Sequence, residues 1–234
     1  MIPLKDDVSS DSVPFVTFGL IALNVLVFLY QASIGMGGDP RAAEAFIFEF
    51  GAVPCRVTGA CSVPGEFPHP IATIFTSMFM HGGLFHIAGN MLYLWIFGDN
   101  VEDTIGHGRF LAFYLLAGVA AALAQIVVHP GSRIPMVGAS GAVSGVLGAY
   151  LLLFPYAGVL VLVIFGFFAR IVRWPAIIVL GFWIVVQFLN GLITASASAG
   201  GGATGGTAWF AHMGGFLAGI VLLFLMRPRR GRRL

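Results

Sequence analysis

Long apolar runs recur along this chain, and each has about the length that crosses a lipid bilayer. A membrane-spanning helix needs roughly 20 consecutive apolar residues, because its backbone polar groups must find their hydrogen bonds within the segment. Hydrophobic residues make up 58% of the 234 residues and charged residues only 9%, and the mean hydropathy is +0.94. A soluble domain of this length does not need so many apolar residues. The sequence therefore predicts an all-α polytopic membrane protein.

The apolar runs divide into six predicted spans. The fourth is short, with about fifteen residues, or roughly 22 Å at helical rise. Residues 159–168 are also apolar but number only about ten, which favours a re-entrant or interfacial segment over a seventh span. The predicted spans are residues 14–34, 81–97 (or 86–97), 109–128, 140–154, 174–193 and 209–226.

Positive charge is unevenly divided between the two sides of a six-span bundle. With the C-terminal tail inside, nine Lys and Arg residues lie inside and three outside, in agreement with the positive-inside rule. The expected organisation is a short cytoplasmic N-terminus at residues 1–13, a six-helix domain at residues 14–226 and a basic cytoplasmic tail at residues 227–234. The inner residues are Lys5, Arg109, Arg170, Arg173, Arg227, Arg229, Arg230, Arg232 and Arg233; the outer ones are Arg41, Arg56 and Arg133.

The connection between the first two spans, residues 35–71, is unusually long. Loops of this length are uncommon unless they are functional, and its phenylalanines indicate that it lies partly in the membrane. Cys55 and Cys61 both belong to this connection and face outward in the predicted topology. An oxidising compartment would preserve a disulfide there, and the sequence leaves a disulfide and two reduced thiols equally open.

Four polar side chains lie at one predicted depth of the bundle. The second, fourth and sixth spans all start at the outer side, and His86, Ser140 and His212 lie near those starts. Asn90 follows His86 by one turn on the same helix face. Polar residues inside a membrane are costly, so a group of them indicates a site. The Gly-Ala-Ser-Gly stretch at residues 138–141, taken alone, would more often serve helix packing.

These side chains fit the chemistry of acyl transfer. A serine hydroxyl becomes a good nucleophile when a neighbouring neutral imidazole accepts its proton, which pairs Ser140 with His212. The developing oxyanion needs hydrogen-bond donors, and the candidates are His86, Asn90 and the Ser140 N–H. The acids of the second span begin at Asp99, about 18 Å or more along the helix from His86. The sequence therefore predicts a Ser-His dyad rather than a triad.

Small residues line the two helix faces that this pairing brings together. A small-xxx-small pattern lets two membrane helices approach closely, and such a pattern occurs in both the fourth and the sixth span. We therefore predict close packing of these two spans. The small residues are Gly141, Ser144, Gly145 and Gly148 on the fourth span, and Gly215 and Gly219 on the sixth.

The sequence indicates no metal, no cofactor and no nucleic acid. It contains no His-Glu-x-x-His motif, and the spans offer no acid to complete a metal shell. The arginine-rich tail at residues 227–234 is typical of a cytoplasmic anchor on anionic lipid. The expected partner is the lipid bilayer.

Three motifs together resemble the rhomboid family of intramembrane serine proteases. They are residues 75–90, which end in His-Ile-Ala-Gly-Asn, the Gly-Ala-Ser-Gly at residues 138–141, and the Ala-His-Met-Gly-Gly at residues 211–215 followed by Gly219. Each motif is weak alone, but the combination is specific. The resemblance covers residues 75–226.

The resemblance implies a role for each candidate residue. Ser140 would be the nucleophile and His212 its base. His86 and Asn90 would serve an oxyanion hole, and Gly138 would let the preceding loop approach it. The substrates implied are other transmembrane helices, which enter laterally and are cut near the outer face.

The chain also departs from the family pattern. Ser144 stands where some members carry an aromatic residue that packs on the catalytic histidine, and Ala72 and Thr73 stand where many carry a Trp-Arg pair in the outer loop. Residues 195–207 are nearly all Gly, Ala, Ser and Thr, a composition that would suit a mobile cap over the site.

Two other functions compete with proteolysis. An inactive rhomboid-like protein could bind membrane helices without cutting them, but it would be expected to lack the serine or the histidine. A small-solute transporter would also hold polar residues in the bilayer, although no inverted repeat is visible in this sequence. The compact six-span form favours a bacterial inner membrane.

Overall fold

Long apolar helices make up most of the structure. The computed structural model describes residues 1–37, 40–61, 68–166, 168–199 and 208–227. Within them, nine α-helices combine with a 3₁₀ turn at Ser77–Phe79 and three short strands. The helices are α1 (Phe15–Met36), α2 (Pro40–Phe50), α3 (Pro54–Val57), α4 (Pro70–Thr76), α5 (Leu84–Ile105), α6 (His107–Val128), α7 (Ser140–Leu153), α8 (Ala176–Ala199) and α9 (Trp209–Met226).

Four helices of the described chain are long and apolar enough to cross a membrane, namely α1, α6, α8 and α9. A fifth span results if Pro70–Phe79 and Leu84–Ile105, which meet at 79°, are counted as one broken element. Helix α7 has 14 residues, about 21 Å at helical rise, and is shorter than a bilayer core of about 30 Å. The protein is thus a mostly helical polytopic membrane protein, and a sixth span stays a prediction.

The second predicted span ends later than the sequence indicates. Its acids are expected to mark an exit into water, but α5 continues to Ile105 and Glu102 is fully buried. The Glu102 carboxylate accepts hydrogen bonds from the Val16 N–H, the Thr17 N–H and the Thr17 hydroxyl at 2.7–2.9 Å. These are free donors of the first turn of α1, so the charge is compensated inside the bundle.

The apolar segment at residues 159–168 forms β-structure. Strands β1 (Ile2–Asp6), β2 (Gly158–Phe165) and β3 (Phe168–Pro175) make an antiparallel sheet in the order β1-β2-β3. Val159 and Val161 of β2 are buried in the main core, as expected of a strand with one buried face. The segment is thus not among the membrane-spanning helices of the described chain, as predicted, but its strand pairing was not foreseen. The N-terminal strand covers one edge of the β2–β3 hairpin.

The long connection after α1 is folded against the loop that precedes α7. A disulfide joins Cys55 to Cys61, which decides the alternative that the sequence leaves open. Ala52 forms an isolated antiparallel bridge with Met136, through N–H···O=C distances of 3.0 and 2.9 Å. The Cys55 N–H also donates to the Ser132 carbonyl at 3.0 Å. These bonds attach the connection to the segment that leads into Ser140.

The outer loop lacks a Trp-Arg pair and is anchored in another way. Arg56 is buried, and its guanidinium donates to the Phe48 carbonyl at 2.8 Å. The Thr76 hydroxyl donates to the Phe50 carbonyl at 2.6 Å. Helix α2 is therefore held at its C-terminal end, where the last carbonyls of a helix have no partner of their own.

A buried carboxyl in β1 makes folding sensitive to pH. Burial raises the pKa of Asp6 to about 6, and the Tyr150 hydroxyl donates to its Oδ2 at 2.5 Å. The native state therefore holds this proton more tightly than the unfolded state, in which the pKa of an aspartate side chain has its ordinary value of 3.8. The free energy of unfolding is expected to fall as pH rises from about 4 to about 6.

Thermal melting of the detergent-solubilised protein between pH 4 and pH 7 measures this effect. Asp6→Asn removes the titrating group while keeping a side chain of similar shape, so its melting temperature should fall less than that of the wild type over the same interval. If the melting temperatures of the two proteins changed in parallel with pH, Asp6 would not be the group responsible.

Candidate active site

Ser140 is the first residue of α7 and follows a tightly held turn. Gly138 has φ +124°, a conformation that residues with a Cβ rarely adopt. Its N–H donates to the Ser77 carbonyl at 2.9 Å. The N–H of Ala139 points to His81 Nε2 at 3.5 Å. The turn before Ser140 is thus bonded to the segment just before α5.

Helices α7 and α9 approach closely enough for their backbones to touch. A Cβ added to Gly219 would lie 2.0 Å from the Gly145 carbonyl oxygen, and one added to Gly215 would lie 2.1 Å from the Gly141 oxygen. No side chain fits in such a space. The predicted close packing of small residues is confirmed.

This packing brings Ser140 and His212 together across 72 residues of sequence. His212 Nε2 lies 2.8 Å from Ser140 Oγ, and His212 is 8% exposed. The hydroxyl can donate to the ring nitrogen when that nitrogen carries a lone pair. This is the geometry required of a nucleophile and its general base.

The ring of His212 has three further neighbours that sequence reasoning missed. Its Nδ1 lies 2.6 Å from Gln187 Oε1. Trp183 packs on the ring at a centroid distance of 5.9 Å, and Trp209 meets it edge-on at 6.2 Å. These indoles supply aromatic contacts to His212, which Ser144 cannot. The Ser144 hydroxyl instead donates to the Ser140 carbonyl at 2.6 Å.

A signal for Gln187 was present in the sequence. With Asn190 it is one of two amides in the largely apolar fifth predicted span, and an intramembrane polar residue should be given a partner. What the sequence did not show is the face of α8 that turns toward His212.

His86 and Asn90 present hydrogen-bond donors beside Ser140. The Gly82 N–H donates to His86 Nδ1 at 3.3 Å, so the proton of a neutral ring lies on Nε2. A Cβ added to Gly138 would lie 2.7 Å from His86 Nε2 and 3.6 Å from Asn90 Nδ2. Both nitrogens therefore face the turn that leads into Ser140.

The amide of Asn90 is buried but incompletely bonded. Its Nδ2 has no hydrogen-bond partner among the residues that the structure describes, and the side chain is 8% exposed. A buried donor without an acceptor is costly. Such a donor is available to an anion that forms beside Ser140.

A cavity of about 700 Å³ opens over these groups. Ser140, His212, His86 and Asn90 all line it. Apolar or aromatic side chains make up much of the remaining wall, among them Tyr93, Val143, Leu147, Met136, Trp183 and Trp209, and the polar residues Gln125, His129, Ser132, Gln187 and Thr194 also line it. The cavity can therefore receive an apolar chain and hold a carbonyl group next to the hydroxyl.

Two expectations fall wholly or partly outside the described chain. Residues 195–199 of the predicted cap (residues 195–207) belong to α8, and residues 200–207 lie outside the described part of the chain. Residues 228–234 of the basic tail also lie outside the described part. For metals, the described residues include no group of three or more His, Cys, Asp or Glu side chains that could hold an ion.

Several proteins of known family are similar to this chain. It is 36% identical to the rhomboid protease GluP of Bacillus subtilis over 59% of this chain and 24% of that protein. It is 30% identical to the RHOMBOID-like protein 1 of Arabidopsis thaliana over 70% of this chain and 37% of that protein. It is 35% identical to the human presenilin-associated rhomboid-like protein, mitochondrial, over 56% of this chain and 31% of that protein.

The similar region thus spans less than two fifths of each of these relatives. The family model for the rhomboid domain matches residues 68–229. This stretch is more than half of the chain and contains all five candidate residues as well as Gln187. The chain belongs to the rhomboid family.

Proposed function

We propose that this protein is an intramembrane serine protease that cleaves transmembrane segments of other membrane proteins. The observation that carries the proposal is the 2.8 Å separation of His212 Nε2 and Ser140 Oγ in the wall of a cavity of about 700 Å³. The family includes proteases, and the similar protein of Bacillus subtilis is named as one.

The reaction begins with attack on a peptide carbonyl. Ser140 Oγ forms a bond to the carbonyl carbon while its proton passes to His212 Nε2, and the carbonyl π electrons move to the oxygen. The resulting oxyanion accepts hydrogen bonds from Asn90 Nδ2 and His86 Nε2. One such donor is worth about 10²- to 10³-fold in turnover when it acts in a preorganised site.

The tetrahedral species then collapses in the direction of products. The C–N bond breaks as His212 returns its proton to the departing amine, which leaves an acyl ester on Ser140. Water attacks this ester with His212 again as base, and the carboxylate product leaves with Ser140 restored. The proposed machinery needs water as its co-reactant and only side chains as catalysts.

The proposed substrate is a transmembrane helix that enters laterally and is cut near the outer face. A peptide bond inside a helix is shielded by its own hydrogen bonds, so a helix that contains small or helix-weakening residues would open more easily.

We place both termini of the protein on the cytoplasmic side because of the nine-to-three distribution of positive charge. A bacterial inner membrane stays a prediction, since the similar proteins include mitochondrial ones.

The close Ser140–His212 pair favours proteolysis over the two other functions considered. A protein that only binds helices has no need for a base in hydrogen-bond contact with a serine. A transporter would not require an unpaired amide donor at Asn90 beside that hydroxyl.

A fluorophosphonate probe tests the proposal without knowledge of the natural substrate. Ser140 Oγ attacks phosphorus, fluoride leaves and His212 takes the proton, so the wild-type protein in detergent should become covalently labelled. Ser140→Ala should abolish the labelling and His212→Ala should reduce it to near background. Equal labelling of all three proteins would overturn the proposal. Gly181→Ala is a suitable control, because an added Cβ at Gly181 meets no atom within 4 Å.

A further inference from the structure

We infer that Gln187 is a positioning residue that orients His212 and selects its tautomer, while Ser140 and His212 remain the reacting pair. This inference rests on the proposed function, because it assigns a role relative to the proposed base. The observation that carries it is the 2.6 Å contact between His212 Nδ1 and Gln187 Oε1, on the opposite edge of the ring from Ser140.

The chemistry of the amide oxygen decides the location of the ring proton. A carbonyl oxygen of Gln can only accept a hydrogen bond, so the contact requires the proton on His212 Nδ1. A neutral ring then carries its lone pair on Nε2, which is the nitrogen 2.8 Å from Ser140 Oγ. The opposite tautomer would direct two lone pairs at each other across 2.6 Å. Gln187 therefore favours the form of His212 that can act as base.

The arrangement of α8 directs the amide at the ring. Trp183 and Gln187 are separated by four residues and so share one face of α8. Both contact His212, the indole through its ring and the amide through its oxygen. Trp209 also contacts the ring of His212, in an edge-on arrangement. The imidazole is thus held in one orientation by packing and by one hydrogen bond.

The use of an amide rather than a carboxylate follows from the surroundings. Gln187 and His212 are 7% and 8% exposed, and the helices around them are apolar. An ionised acid buried there would be costly. A neutral amide orients the ring without that cost, although it stabilises the imidazolium less than a carboxylate would. This explains how the site operates without an acid at this depth.

A near-isosteric series at position 187 tests the inference. Gln187→Met replaces the amide by an apolar chain of similar length, and Gln187→Glu keeps an oxygen acceptor but adds charge. The matched control is Asn190→Leu on the same helix, because the Asn190 amide bonds to its own helix at the Val186 carbonyl, 2.9 Å away. The measured quantity is the second-order rate constant of fluorophosphonate labelling across about pH 5–9.

We expect Gln187→Met to label about tenfold or more slowly than the wild type at every pH. Gln187→Glu should recover most of the rate at high pH, and the acid limb of its profile should move to higher pH because a carboxylate stabilises the imidazolium. Asn190→Leu should keep the wild-type rate and profile. A merely structural role of Gln187 would instead lower the melting temperature of Gln187→Met, and the oxygen acceptor of Gln187→Glu would not restore the labelling rate.

The outcomes separate the two hypotheses. If the wild type labels in a Ser140-dependent way but Gln187→Met labels at the wild-type rate, the inference on Gln187 is overturned and the proposed function stands. If the wild type shows no Ser140-dependent labelling, both are overturned. Melting temperatures of all variants are measured in parallel. A slow Gln187→Met variant that melts like the wild type, combined with recovery of the rate in Gln187→Glu at high pH, supports the inference.

Discussion

Replacing Ser140 or His212 by Ala is expected to lower turnover of a transmembrane-helix substrate by about 10⁴-fold or more, and the double variant should lose no more than either single one. The reason is that the two side chains perform one step together. Without the hydroxyl there is no acceptor for the acyl group, and without the imidazole the hydroxyl keeps its proton. Whatever remains in each variant comes from binding and from the oxyanion donors.

The measurement uses the purified protein in liposomes with a fluorogenic single-helix substrate that carries a Gly-Ala break near its outer end. Rates are compared at saturating substrate, so that differences report the chemical step rather than binding. A double variant that is slower than both single variants by another factor of about 10⁴ would show that the two residues act independently. Gly181→Ala serves as the control for handling and reconstitution, since its added Cβ meets no atom within 4 Å.

Gly138→Ala is expected to reduce turnover by about 10²- to 10³-fold, the range for losing an oxyanion-hole donor. Two physical effects act in the same direction. The backbone at Gly138 has φ +124°, which an Ala adopts only with strain. The new Cβ would also lie 2.7 Å from His86 Nε2 and 2.8 Å from its Cε1. Either the turn or the His86 ring must move, and Ser140 is then separated from its donors.

Gly131→Ala is the matched control, because it lies in the same loop and its added Cβ meets no atom within 4 Å. Both variants are assayed for turnover and for thermal melting. We expect Gly131→Ala to retain wild-type turnover and Gly138→Ala to lose it even at temperatures well below its melting point. Turnover of Gly138→Ala within about twofold of the wild type would remove this turn from the site.

The sequence alone was sufficient for the membrane class, the approximate helix positions and four of the side chains that meet at the site. Apolar runs and their lengths follow from the physics of the bilayer, which acts on each segment separately. The sixth predicted span, residues 209–226, coincides with α9. Ser140 begins α7 as predicted, because small residues after a turn can start a helix whose face packs closely on another.

Predictions from the sequence failed where hydrogen bonds join segments that are distant in the sequence. The acids after Gly98 were expected in water, but Glu102 is buried because the first turn of α1 supplies its donors. Residues 159–168 were correctly not counted as a seventh span, but the pairing of β2 with both β1 and β3 was not predicted. The partners of Glu102 and the β1 partner of β2 are not visible in the local pattern, since these hydrogen bonds join parts far apart in the chain.

The membrane class and the need for small residues between α7 and α9 were determined by the sequence itself, because length, polarity and side-chain size are local properties. Only the tertiary structure decided that the Cys55–Cys61 pair is bonded and that Gln187 contacts His212. The rotation of a helix about its own axis depends on every neighbour that packs against it. For that reason the face of α8 that carries Trp183 and Gln187 to the base could be seen only in the assembled bundle.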